Sequence, residues 1–215
     1  MEWHPEILPG TTATKLEELA AFESIQNTYL AGGTAIALQL GHRISRDLDF
    51  FTPIAFDENE LALKLEEKGM RTESTKWRTV IGSFADVQFT CFYLPYPLLF
   101  DPEEYRGIRV ANLRDCAAMK LEAIAGRATK RDYIDLSMIM KHDNIELPAL
   151  LDMHMRKYQP QRDTAAEALR SLTYFDDVET RETEERPLEM LVPIAWEEVK
   201  TFFLQQVSEN RKYLL

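Results

Sequence analysis

The sequence predicts an α+β protein, with a mixed α/β first half followed by an all-helical second half. Residues 69–93 are dense in β-branched and aromatic types with strand-like alternation. From residue 112 onward, apolar residues recur at helical spacing. The chain has 215 residues, of which 45% are apolar and 28% charged, so it is composed like a globular protein and not like a disordered one. By area scaling, a chain of this size removes about 70% of its unfolded surface from water. Such a core needs no disulfide or structural metal.

The elements follow in order. Thr14 and Glu17 are spaced as a capping box, which predicts a helix from about residue 14 to about 27. Residues 29–31 read as a short strand running into Gly32-Gly33, and residues 34–40 as an apolar helix stopped by Gly41. Residues 47–52, DLDFFT, read as a second strand. Asp57 and Glu60 predict another cap, with a helix to about residue 68. A meander follows, with strands at 79–84 and 87–93, and a last short strand at 108–111. Helices are then predicted at 112–126, 129–142, 147–158, 162–172 and 195–213, and the acid-rich stretch 176–189 reads as a solvated loop. The expected division is a first domain over 1–110 and a helical domain over 111–215.

A net charge of -11 excludes a generic basic coat for nucleic acid over the whole molecule, though not a local patch. Cys91 and Cys116 match no zinc spacing, nor do the four histidines. The N-terminus lacks the basic and apolar regions of a signal peptide, and no apolar run approaches membrane-spanning length. The expectation is a cytoplasmic protein with reduced thiols and no membrane partner. Serine-hydrolase and zinc-hydrolase motifs are absent from the sequence.

The most informative segment is YLAGGTAIALQLGHRISRDLDFFT, residues 29–52. Asp47 and Asp49 stand at i and i+2, so on a strand they share one face with Cα atoms roughly 6.5–7 Å apart. Two carboxylates so placed suit Mg²⁺, a hard cation that keeps room for substrate phosphates. Gly32 and Gly33 let backbone approach a ligand closely, and the helix starting near Thr34 offers N–H groups to phosphate. Taken singly, a Gly-Gly pair is also an ordinary turn, and Asp-x-Asp also an exposed strand face.

The second segment is NLRDCAAMKLEAIAGRATKRDYIDLSMIM, residues 112–140. Lys120 lies on a helix rich in Ala, Met, Leu and Ile, where it either snorkels to the surface or reaches a phosphate. Asp132 and Asp135 share a helix face at i, i+3. Asp132 is also spaced from Thr129 as a capping residue; Asp135 lies past the cap. Between Tyr105 and Arg131 there are seven basic residues and two acidic ones, and His42, Arg43 and Arg46 add basic character beside the Asp pair. A cationic rim of this kind suits a triphosphate or an RNA end.

Together, AGGTAIALQLGHRISRDLDFF and AAMKLEAIAGRATKRDYIDL resemble the AbiE-type toxin nucleotidyltransferases (AbiEii/AbiGii) of abortive-infection and toxin–antitoxin systems, within the DNA polymerase β-like superfamily. The resemblance covers about residues 29–52 and 105–140. It implies a nucleotidyltransferase-like small mixed sheet flanked by helices, with a helical domain completing the active-site cleft. It also implies Mg²⁺-dependent transfer of a nucleoside monophosphate from a triphosphate to an RNA (such as tRNA) or protein acceptor, and a cognate antitoxin partner. By matching position, Asp47 and Asp49 would be the metal ligands. Gly32, Gly33, Thr34 and Lys120 would bind the nucleotide, and Arg46, from the basic rim beside the Asp pair, is expected to join them. Asp47, Asp49, Lys120, Asp132 and Asp135 would be catalytic. The family pattern is departed from twice. The phosphate turn is Gly-Gly-Thr instead of Gly-Ser, and the third carboxylate position matches Thr90. Asp86 lies roughly 13 Å along the strand, too far to substitute. A catalytically degenerate member acting as a binding module, or a phosphohydrolase using the same acids, would fit the same residues.

Overall fold

A computed structural model describes residues 2–159, 164–180 and 187–210. The chain divides into two compact units, Met1–Asn112 and Leu113–Leu215.

The first unit opens with a short 3₁₀ turn at Pro5–Ile7 and helix α1, Gly10–Ala20. α1 begins four residues before the expected capping box. Pro9 stands at its N-cap with no side-chain cap, and Glu17 spends its carboxylate on Arg106 instead. Thr12, Leu16 and Leu19 form its buried stripe. A 3₁₀ turn at Glu23–Ile25 replaces the expected last turns of that helix.

Strand β1 (Tyr29–Ala31) leads into α2 (Gly32–Leu40), which ends at Gly41 in the left-handed conformation, φ 64°. Strand β2 is Leu48–Thr52, one residue shorter than expected, which leaves Asp47 in the loop just before it and only Asp49 on the strand. Helix α3, Glu58–Glu66, is capped by Asp57, whose carboxylate accepts from the N–H groups of Asn59 and Glu60. Strands β3 (Arg71–Lys76), β4 (Thr79–Phe84) and β5 (Val87–Tyr93) form the meander. A hairpin of β6 (Glu103–Tyr105) and β7 (Ile108–Val110) completes the unit. Only its second strand was expected from the sequence.

The seven strands make one mixed sheet in the order β3-β4-β5-β2-β1-β7-β6. β2 lies centrally, antiparallel to β1 and parallel to β5. Its residues alternate: Leu48, Phe50 and Thr52 are buried, while Asp49 and Phe51 are half-buried on the opposite face. Phe50 packs on Phe89 across the ladder at 5.7 Å between ring centroids. The apolar face therefore fixes the register of β2, and a one-residue slip would bury Asp49.

The second unit consists of helices α4 (Leu113–Arg127), α5 (Lys130–His142), α6 (Leu147–Tyr158), α7 (Thr164–Ser171), α8 (Asp176–Thr180) and α9 (Trp196–Glu209). α8 corrects the expectation of a loop at its position. Val178 is buried there, and Phe175 just before it packs on Tyr133 at 5.4 Å. The remainder of that loop at 181–186, the start of the helix expected from 162 and the end of the one expected to 213 lie outside the described residues. Tyr133 of α5 is the hub of this unit. Its buried ring meets Trp196 at 5.8 Å and Phe203 at 5.6 Å, and its hydroxyl lies 2.6 Å from the Ser171 carbonyl oxygen. No helix is long and apolar enough to cross a membrane among the described residues.

Candidate nucleotidyltransfer site

In the first unit the candidate site forms where β1, α2 and β2 meet. Ala31 pairs with Asp49 across the antiparallel β1–β2 ladder, so Asp49 is brought beside the start of α2. Gly32 has φ 69°, and a Cβ built on it would come 2.9 Å from Asp49 Oδ2. A Cβ on Gly33 would collide with the guanidinium of Arg43. The glycine pair is thus required by two side chains of this chain itself. The sequence reading assigned that clearance to a ligand; here Asp49 and Arg43 occupy it.

Arg43 was not among the expected site residues. It is buried, and its guanidinium donates to the Ile44 carbonyl at 3.2 Å and to Ser45 Oγ at 3.4 Å. In sequence it is one cation among three near the Asp pair, with nothing to mark it as the one laid over Gly33.

Thr34 is buried at 1% exposure, and its hydroxyl is bonded to the Asp47 carbonyl and to Ser45 Oγ. The hydroxyl expected to face a phosphate therefore ties α2 to the loop that carries Asp47. Arg46, Asp47 and Asp49 are each half-buried. Ala31, the N-cap of α2, has no capping side chain of its own, and the Asp49 carboxylate lies at the positive end of that helix.

Thr90 stands directly opposite Asp49 in the parallel β2–β5 ladder. The position where a third carboxylate would share this face is a threonine. Among the described residues, no group of three or more His, Cys, Asp or Glu is arranged to hold a metal ion. Asp49 on β2 and Asp47 in the loop one residue before it still supply the hard oxygen donors that Mg²⁺ takes from protein, since it usually keeps several waters and substrate oxygens. The residues present fit one such ion.

In the second unit, Lys120, Asp132 and Asp135 are brought together. Lys120 Nζ lies 2.8 Å from Asp132 Oδ1 and 2.9 Å from Asp135 Oδ2. Asp132 also closes a capping box with Thr129, accepting from its N–H at 3.1 Å and its hydroxyl at 2.8 Å. Lys120 is only 9% exposed and Asp135 is fully buried. This corrects two sequence expectations. Lys120 does not snorkel, because two carboxylates hold it inside. Asp135, though past the cap, has a structural partner in Lys120.

A second ion pair on α4 had no sequence signal at all. Lys157 and Asp115 meet at 2.7 Å with both side chains fully buried. Cys116 lies between the two clusters. Burial pushes its thiol up to about 12, with Asp115 adding to the rise and Lys120 and Lys157 opposing it.

The sequence profile of the family described as "Nucleotidyl transferase AbiEii toxin, Type IV TA system" matches residues 15–90 and 81–212. The chain belongs to this family. As an AbiEii-family nucleotidyltransferase toxin it is an enzyme. An uncharacterized protein of Aquifex aeolicus (strain VF5) is 33% identical over 203 residues, covering 90% of this chain and 93% of that protein. Among solved structures, the nucleotidyltransferase toxin MenT4 from Mycobacterium tuberculosis shares the fold at a TM-score of 0.57 and 16% identity, covering 98% of this chain and 90% of that one. JHP933 from Helicobacter pylori does so at 0.56 and 17%, covering 96% and 94%. At such identities the AbiEii-family chain shares an architecture with these two proteins, and the likeness extends no further.

Proposed function

We propose that this protein transfers a nucleoside monophosphate from a nucleoside triphosphate to an RNA or protein acceptor, as the toxin of a toxin–antitoxin or abortive-infection system. In this reading it works in the cytoplasm, where triphosphates are supplied, and is restrained by a cognate antitoxin. The observation that carries the proposal is the placing of Asp49 beside the start of α2, with Asp47 two residues before it in the loop and the cation Arg43 over Gly33.

Asp47 and Asp49 would hold Mg²⁺. The ion, when bound, supplies neutralisation and alignment of the triphosphate charge. The first turn of α2 offers its dipole to phosphate oxygens, and Arg46 adds a positive charge on the loop that leads into β2. Gly32 and Gly33 carry no side chains of their own, so Asp49 and Arg43 can lie against that turn, and Thr34 anchors it to the Asp47 backbone. The family resemblance assigns Lys120 to the nucleotide phosphates and Asp132 and Asp135 to an acid or base role. Their gathering into one cluster supports treating them as a unit. Catalysis on this plan is mainly positioning and charge stabilisation.

Thr90 opposite Asp49 favours a second reading, a degenerate member that binds without turnover. Incubation with radiolabelled triphosphates, Mg²⁺ and total RNA or total protein separates the two. Label on a macromolecule, lost in Asp49→Asn, is expected. Release of free phosphate alone, or no change in the triphosphate, would reject nucleotidyl transfer.

A further inference from the structure

The tip of the β3–β4 hairpin is built against local preference. Lys76 pairs with Thr79, so the loop is the two residues Trp77 and Arg78. Both are left-handed, φ 53° and φ 56°. Two-residue loops of this kind favour Asn-Gly, because a side chain is strained there. A tryptophan is among the least suited residues, yet Trp77 stands 91% exposed. It contributes little to the core in return for that strain.

The turn is held in place from outside the loop. The Arg78 carbonyl accepts from the Tyr93 N–H at 3.0 Å, and the Arg78 guanidinium lies 4.9 Å from the centre of the Tyr93 ring. Strain kept by surrounding contacts, at a site that packs nothing, points to function. The segment at 75–80, TKWRTV, has two cations and no acid, in a chain of net charge -11.

The sheet also connects this tip to the Asp pair. Asp49 is level with Thr90, and Phe51 is level with Phe92 two residues further on. Phe51 and Phe92 are half-buried and stacked, with ring centroids 5.0 Å apart and planes 22° apart. Phe92 in turn pairs with Thr79, at the base of the hairpin tip. By ordinary strand rise and spacing, the tip is roughly 15 Å from Asp49.

We propose that Trp77, flanked by Lys76 and Arg78, is a stacking platform for a single-stranded segment of an RNA acceptor. An exposed ring between cations suits the two constant features of single-stranded RNA, the base face and the phosphate. A protein partner would call for further exposed apolar surface around the ring, whereas residues 75–80 are otherwise polar and cationic on the surface. This rests on the transferase reading above and selects RNA over protein as its acceptor.

The test measures binding of a short single-stranded RNA oligonucleotide, and of a duplex of equal length, to the full chain by fluorescence. Wild type should bind the single strand with quenching of tryptophan emission. Trp77→Ala should weaken that binding by about tenfold or more, with Trp77→Phe keeping most of it. Lys76→Ala should lower the salt dependence by about one counterion. The double substitution Trp77→Asn with Arg78→Gly should raise the melting temperature yet lose RNA binding, an opposition that a merely structural turn would not produce. Asp49→Asn should bind RNA like wild type while losing label transfer. If Trp77→Ala or the Asn-Gly loop binds single-stranded RNA as tightly as wild type, the platform is rejected. It is also rejected if label goes to protein equally well with and without Trp77. If Asp49→Asn retains full transfer, the acid-pair reading fails, and the platform is still judged by RNA affinity alone.

Discussion

Asp47 and Asp49 stand half-buried at the start of β2, and Asp49 lies beside a helix start where Gly32 leaves room for its carboxylate. Asp115 and Asp135 are fully buried, and each is held by a lysine within 3 Å: Lys157 at 2.7 Å and Lys120 at 2.9 Å. The same side chain thus appears in two environments in one molecule. Carboxylates half open to water keep their charge cheaply and can exchange water for a cation. The buried ones have a lysine built in beside them, so their first effect is on folding. Residue type does not separate these uses; the company each carboxylate keeps does.

The largest expected effect breaks the buried side of this contrast. Lys157→Met takes from the buried Asp115 carboxylate the ammonium that lies 2.7 Å from it. It should cost about 3–5 kcal/mol in urea or thermal unfolding. Adding Asp115→Leu should recover most of that loss, because an apolar pair of similar volume needs no compensation. If the double variant is no more stable than the single one, the pair is not an isolated electrostatic unit. Lys120→Ala should also be strongly destabilising, since two carboxylates lose one partner.

The open side behaves oppositely. Asp49→Asn should lower nucleotidyl transfer by about 10²–10³-fold, as expected when a preorganised electrostatic group is removed. Its melting temperature should stay close to that of wild type, because the position is half-buried and the amide keeps the shape of the carboxylate. Calorimetric titration with Mg²⁺ and triphosphate should show weakened binding by the folded variant. Unchanged affinity would remove Asp49 from the metal site.

What the sequence made legible follows from the same physics. The β1–α2–β2 segment could be read because its signals are local: a left-handed Gly41, strand alternation and an apolar helix. The Thr129–Asp132 cap was legible for the same reason, since its partners are three residues apart. The Lys157–Asp115 pair spans 42 residues, and no local pattern announces it. The approach of Arg43 to Gly33 depends on how a loop folds back, which composition does not encode. β6 was missed because Glu103 and Glu104 look like solvated loop and the strand is three residues long. α1 was misplaced because Thr14 and Glu17 have capping spacing in what is the middle of the helix.

A smaller effect probes the glycine pair. Gly32→Ala asks an L side chain to take φ 69° and to crowd the Asp49 carboxylate. The conformational part alone should cost about 1–2 kcal/mol. Transfer should fall as well, since Asp49 must move. Gly126→Ala, where a Cβ would meet nothing within 4 Å, is the control and should leave both stability and transfer near wild type. Equal effects at the two positions would mean that the close approach at Gly32 has no role.

The smallest effect at neutral pH concerns the thiols, and it compares burial alone with burial among charges. Burial pushes Cys91 up to about 12, and Cys116 reaches about 12 by burial first and Asp115 second, opposed by Lys120 and Lys157. The ordinary value is 9.0. Between these values the native protein keeps two protons that the unfolded chain releases. Stability should therefore be unaffected by the thiols below the ordinary value and fall as pH rises from there toward about 12. The slope approaches about 1.4 kcal/mol per pH unit for each thiol. At neutral pH both thiols should resist thiol reagents until the chain unfolds. Cys91→Ala and Cys116→Ala should each flatten the alkaline slope, and each variant should be compared with its own stability at pH 7. Combining Cys116→Ala with the Asp115→Leu, Lys157→Met pair should leave the Cys91 contribution unchanged, since that thiol is raised by burial alone. A Cys91 slope that moves with Lys157 would show that the two thiols are electrostatically linked, contrary to this account.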